Sequence, residues 1–123
     1  MTQKDKELLL KDLSARLPYN PLISINGERY RMEEIRNALI GIDTYKITVD
    51  GCSIDSVKPY LFPLSSMTEE QRKEWQSLMI KDSYGILYYT VESYDYLYKN
   101  HIDIRGFIAM GLAIDATNLN IYK

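Results

Sequence analysis

The sequence is short of the residues from which catalytic and metal sites are usually assembled. Its 123 residues include one cysteine, Cys52, and one histidine, His101. A lone cysteine excludes an intramolecular disulfide and suits a reducing compartment. Zinc sites usually take three or four Cys, His or carboxylate ligands, so one of each soft type is too few, and no metal is expected. There is no glycine-rich phosphate loop. Gly106 and Gly111 are spaced like turn residues, not like a nucleotide fingerprint, and no cofactor is expected. No run approaches the ~20 apolar residues of a membrane span. Residues 1–11 are charged from Lys4 to Glu7, unlike the apolar core of a signal peptide. An excess of basic charge is missing too. Fifteen Lys and Arg against 17 Asp and Glu give a net charge of −2, which disfavours charge-driven binding to nucleic acid or anionic membrane. The expectation is a cytoplasmic protein with no membrane association.

What is present is an ordinary globular balance, 46% apolar and 26% charged, over a length typical of one domain. Residues 1–123 are read as a single α+β domain. Thr2, three residues before Asp5, can cap a short amphipathic helix over about 3–14, which Leu17-Pro18 ends. Asn26-Gly27 between two alternating runs is a strong hairpin signal. It pairs Ile25 with Glu28 and Ile23 with Tyr30. Ile23, Ile25, Tyr30 and Met32 then share one face, and Ser24, Arg29 and Arg31 the other. Asp43-Thr44 as a loop would pair Ile42 with Tyr45 and Ile40 with Ile47. Asp50-Gly51 would pair Val49 with Cys52 and Ile47 with Ile54. Residues 22–54 therefore predict an antiparallel meander of about five strands, curled into a small half-barrel with one buried face. Glu33 to Asn37 is open to a helical turn instead.

Pro59 and Pro63 around Tyr60, Leu61 and Phe62 suggest an edge strand or an extended connection. Thr68 with Gln71 matches a capping box, so a helix is expected to about Met79, with Arg72, Trp75, Leu78 and Met79 near one side. A turn at Asp82–Gly85 and a short strand over Ile86–Tyr89 come next. Thr90 would cap a helix over about 91–100, with Val91, Tyr94, Leu97 and Tyr98 on its inner stripe. Asp103 would cap a last helix, Ile104 to Met110, ended by Gly111. The whole is thus a short N-terminal helix, the curled meander, and two to three C-terminal helices. The tail from Ile114 is open between docked and free.

The stretches Asp50-Gly51-Cys52-Ser53-Ile54, Val57 through Glu70, and Tyr94 through Leu112 resemble a family of small uncharacterised proteins. These are common in gut Bacteroidetes and in the phages and mobile elements of those bacteria. The likeness runs from about Leu13 onward and departs at Ala116-Thr117-Asn118. It implies a bacterial or phage cytoplasmic setting and brings no activity, cofactor or site residue.

Three functional readings are open. The leading one is a non-enzymatic protein-interaction module binding another protein, or a second copy of itself, through its tyrosine-rich C-terminal half. Six of the eleven tyrosines fall between Tyr84 and Tyr98, and tyrosine is enriched at interfaces. No Lys or Arg occurs from Asp82 through Tyr98, which disfavours a nucleic-acid stacking platform. Tyr84, Tyr88 and Tyr96 are the candidate contacts, with Tyr96 expected to be the most exposed because it lies across the helix from Tyr98. The alternative is a nucleic-acid-binding accessory protein using Arg29 and Arg31. The third is an enzyme built on Cys52 and His101. Against it, Cys52 falls on the apolar face. His101 would end a helix as a favoured cation, Asp103 cap the next, and Arg105 pair with an acid.

Overall fold

The computed structural model describes residues 2–32, 41–43, 46–49 and 52–122. Helix α1, Gln3–Arg16, opens on a reciprocal cap. The Thr2 hydroxyl oxygen accepts the Asp5 amide at 3.1 Å, and the Asp5 carboxylate accepts the Thr2 amide at 3.2 Å. The helix runs two residues beyond the predicted end and then tightens into a 3-10 turn, Leu17–Tyr19, that contains Pro18. Strands β1, Leu22–Ile25, and β2, Glu28–Arg31, form the expected hairpin. Ile25 lies opposite Glu28 and Ile23 opposite Tyr30, with φ of 52° at Asn26 and 86° at Gly27.

The first hairpin does not continue into a curled five-strand meander. The free edge of β1 is taken by β6, Val57–Leu61, and β6 pairs in parallel with β9, Ile114–Asp115, giving a four-stranded sheet in the order β2-β1-β6-β9. Strands β3, Gly41–Asp43, β4, Lys46–Val49, and β5, Cys52–Ser53, make a separate three-stranded antiparallel sheet. Neither sheet closes or curls, so the half-barrel is overturned.

Local registers also differ in part. Asp43 lies opposite Lys46, and Ile42 faces Ile47 rather than Tyr45. Val49 faces Cys52 as expected, but Ile54 leaves the ladder for a 3-10 turn, Ile54–Ser56, and does not pair with Ile47. Ile40, Tyr45 and the Glu33–Asn37 segment lie outside the described residues.

Pro59 suggests an edge, and the ladder explains why β6 is central instead. The Asn26 amide donates to the Ser56 carbonyl at 3.1 Å. Alternation along an antiparallel ladder then makes Ile23 and Pro59 a non-hydrogen-bonded pair, where a missing N–H costs nothing towards β1. On the other side β9 pairs only with Tyr60 and Leu61. Both edges tolerate the proline.

The central strands are buried on two faces. Ile23, Ile25, Val57 and Leu61 pack with Leu9 and Leu13 of α1 and with Phe107 and Leu112. Leu22 and Tyr60 pack with Ala116, Ile121 and Tyr122 of the docked tail. Ser24, expected on a polar face, is buried as well.

Helix α2, Glu69–Ser77, starts on the predicted Thr68–Gln71 box and buries only Trp75. Strands β7, Ile80–Lys81, and β8, Leu87–Tyr88, form a small hairpin, of which the sequence pattern marks only the second strand. Helix α3, Val91–Lys99, is capped by Thr90 with Ser93 and buries Ser93 and Leu97; Val91 and Tyr94, expected on the inner stripe, are exposed. The helix expected over Ile104–Met110 does not form. The Asp103 carboxylate instead accepts the amides of Phe107 and Ile108, both at 3.0 Å, and closes a turn. Among the described residues no helix is long and apolar enough to cross a membrane.

Candidate functional site: an aromatic hairpin and a cationic cleft

The hairpin β7–β8 is organised by one carboxylate. Asp82 Oδ1 accepts the amides of Tyr84 at 2.8 Å and Ile86 at 3.0 Å, and Oδ2 accepts the Tyr88 hydroxyl at 3.0 Å. Gly85 supplies the left-handed residue the turn needs, at φ 84°. The Ile86 amide most of all, then the Tyr88 hydroxyl and the Tyr84 and Gly85 amides, hold the Asp82 carboxyl below its usual value despite some desolvation.

The six clustered tyrosines divide by partner. Tyr89 packs on Trp75, ring centroids 5.6 Å apart, and Tyr94 meets Tyr89 edge-on at 5.0 Å, so these two tie the hairpin and α3 to α2. Tyr96 is half-buried, not the most exposed; its hydroxyl donates to Glu74 Oε2 at 3.0 Å. Burial first, and then Glu74, push that phenol up to about 12. Tyr98 lies beneath the Arg16 guanidinium, 5.0 Å from its centroid. Tyr84 and Tyr88 remain turned outward, 89% and 51% exposed. Around them Ile80 is 63% and Val91 74% exposed, with Ile86 and Leu87 also open. A contiguous chain segment, 80–91, therefore presents a cluster of large apolar side chains to solvent. Single exposed apolar residues are ordinary, but a cluster is not.

The second feature lies at the other end of α3. Ile102 N–H donates to the Leu97 carbonyl at 2.9 Å and His101 N–H to Tyr98 at 3.1 Å, the paired bonds of a Schellman ending. His101 occupies the left-handed position, φ 58°, where glycine is usual. Its ring stacks on Tyr122 at 3.9 Å with 11° between planes. Burial, then the positive charges of Arg16 and Arg31, push the imidazole down to about 4. So His101 does end α3, but as a neutral ring and not as the cation expected there. Its Nδ1 is buried without a partner among the described residues.

Behind the ring lies a buried charge network that no local sequence signal announces. Arg16 and Asp12 are both fully buried, joined at 2.7 and 3.3 Å, and Arg16 Nη2 also donates to the Ile102 carbonyl at 2.7 Å. Arg105 reaches the same Asp12 carboxylate at 3.3 Å and Tyr98 at 3.4 Å. One carboxylate thus faces two guanidinium groups. An Asp and an Arg at i and i+4 on a helix have the pattern of a surface pair, and nothing beside them in the sequence marks them as buried.

Beside His101 opens a cleft of about 600 Å³ with Arg31, Phe62, Lys99 and Tyr122 among its walls. The two arginines of the first hairpin separate here. Arg31 lines the cleft, whereas the Arg29 guanidinium lies over the Tyr60 ring at 5.3 Å. The Cys52 side chain lies outside the described residues, as does any relation it has to His101. No group of three or more potential metal ligands occurs among the described residues.

No family model matches the chain, and neither the curated proteins nor the solved structures include a match.

Proposed function

We propose that the protein is an interaction module that binds a partner protein through the β7–β8 hairpin and the first turn of α3. The observation that carries this reading is the exposure of Ile80, Tyr84, Tyr88 and Val91 together on one segment. Aromatic anchors on a rigid support are the usual source of affinity at protein interfaces. Here the support is supplied by the Asp82 latch and the Trp75–Tyr89–Tyr94 contacts. The site is therefore Tyr84 and Tyr88, and Tyr96 is set aside as a bond between helices. The reading is non-enzymatic, and a phage or mobile-element setting rests on the family resemblance alone. The arginine reading has less behind it, because Arg29 and Arg31 engage different surroundings rather than forming one open stripe.

The test is capture of partners by the wild-type chain and by an Ile80→Ser/Tyr84→Ser/Tyr88→Ser variant, with sedimentation equilibrium to detect self-association. Partners or self-association seen with the wild type and absent from the folded variant support the assignment. Retention by both rejects it.

A further inference from the structure

We propose that the cleft at the C-terminal end of α3 is a binding site for a small organic phosphate, gripped by Arg31 and Lys99. This does not depend on the hairpin reading. Arg31 enters from the end of β2 and Lys99 from the last turn of α3. Both are exposed, and neither is in an ion pair among the described residues. Among the described residues, no carboxylate lines the cleft.

Apart from the lining, Arg16 and Arg105 share the single Asp12 carboxylate, which leaves that network one positive charge in excess. Asp103 and Asp115 stay charged, with their carboxylate oxygens held by the amides of Phe107, Ile108 and Thr117. The described lining of the cleft itself carries two cations in a chain of net charge −2. The end of α3 adds little opposing charge, since the carbonyls of Tyr96, Leu97 and Tyr98 all accept hydrogen bonds from residues 100–102.

Two cations match a phosphomonoester, which carries about −1.5 to −2 at neutral pH. Arginine adds the planar fork that fits phosphate oxygens. A cleft of about 600 Å³ is far larger than one phosphate needs and falls in the range of small-molecule sites. The remainder has aromatic walls, Tyr19, Phe62 and Tyr122. Gln71 adds an amide whose oxygen is used by the Thr68 N–H and whose nitrogen donors are open to a ligand.

The test is an NMR titration at constant ionic strength, following the His101 and Tyr122 ring resonances. Adenosine 5′-monophosphate and ribose 5-phosphate are the probes, and adenosine and inorganic phosphate the comparison arms. Saturable shifts with either organic phosphate, weaker with inorganic phosphate and absent with adenosine, are expected. Arg31→Gln/Lys99→Gln should weaken binding by about tenfold or more, while Arg72→Gln/Lys73→Gln on the exposed side of α2 should not. Three results would overturn the proposal: no saturable shift from either organic phosphate, equal binding of adenosine, or a double variant that binds like wild type. Inorganic phosphate binding as tightly as both organic probes would remove the organic part of the assignment.

Discussion

His101 and Tyr122 lie face to face, their rings 3.9 Å apart and nearly parallel, and this contact joins the end of α3 to the C-terminal tail. The Tyr122 hydroxyl completes the attachment: it accepts the Leu22 amide at 2.7 Å and donates to the Tyr60 carbonyl at 2.8 Å. The tail thereby covers the second face of the central sheet.

The backbone at His101 gives the first prediction. At φ 58° any Cβ is strained, by roughly 1 kcal/mol relative to glycine. His101→Ala and His101→Gly both lose the ring stack and differ only in that Cβ. Urea denaturation should therefore find the glycine variant more stable than the alanine variant by about 1 kcal/mol, the reverse of the usual order near helices.

The protonation of His101 gives the second. Its folded pKa, about 4, is below the ordinary value of 6.5. Between those values the unfolded chain binds the proton and the folded chain does not, so unfolding gains on folding as pH falls. This contribution is complete above about pH 6.5, declines as pH drops towards 4, and is flat below. His101→Asn, which tolerates the left-handed backbone, should flatten the stability profile in that window. Denaturation midpoints at about pH 7, 5.5 and 4.5 check it.

Asp12 is the third. Removing it leaves two guanidinium groups facing each other, one of them fully buried. Asp12→Ala should cost about 3–5 kcal/mol, the scale for breaking a buried pair from one side. Arg105→Gln, at a partly exposed partner, should cost about 1 kcal/mol or less. Equal losses in equilibrium unfolding would contradict the network as described.

Asp82 is the fourth. Asp82→Ala removes the acceptor for Tyr84, Ile86 and Tyr88 at once. Amide exchange at Tyr84 and Ile86 should accelerate while exchange at Leu97 and Phe107 stays unchanged, because the latch serves the hairpin and not the core.

Much of the fold is legible where the signal is local and chemical. Asn26-Gly27, Thr68 with Gln71, and Thr90 each commit a few neighbouring residues through side-chain oxygens or positive φ, and each is realised. The departures come where tertiary placement overrides local rules. Pro59 suggests an edge, yet it falls on the one register position where a central strand tolerates it. Ser24 suggests a wet face, but it is buried between Arg29 and Lys58 on the neighbouring strands. Ile104–Met110 carries a helical pattern, but the Asp103 carboxylate closes a turn there instead. The exposed surface proposed as the site is partly legible. Tyr84 and Tyr88 stand out because aromatics beside a turn have little to pack against. Tyr96 does not fit, since helical angles alone do not show that Glu74 of α2 faces it. The cleft is invisible in the sequence, because Arg31 and Lys99 are far apart along the chain and come to line one cleft only when β2 and the end of α3 are placed.

The sharpest test of the hairpin as the binding surface is hydrogen exchange on the chain in complex with a captured partner. New protection is expected across residues 80–94, led by the amides of Tyr84 and Tyr88. Protection confined to residues 28–32 around Arg29 and Arg31, with the hairpin exchanging as in the free chain, would contradict it.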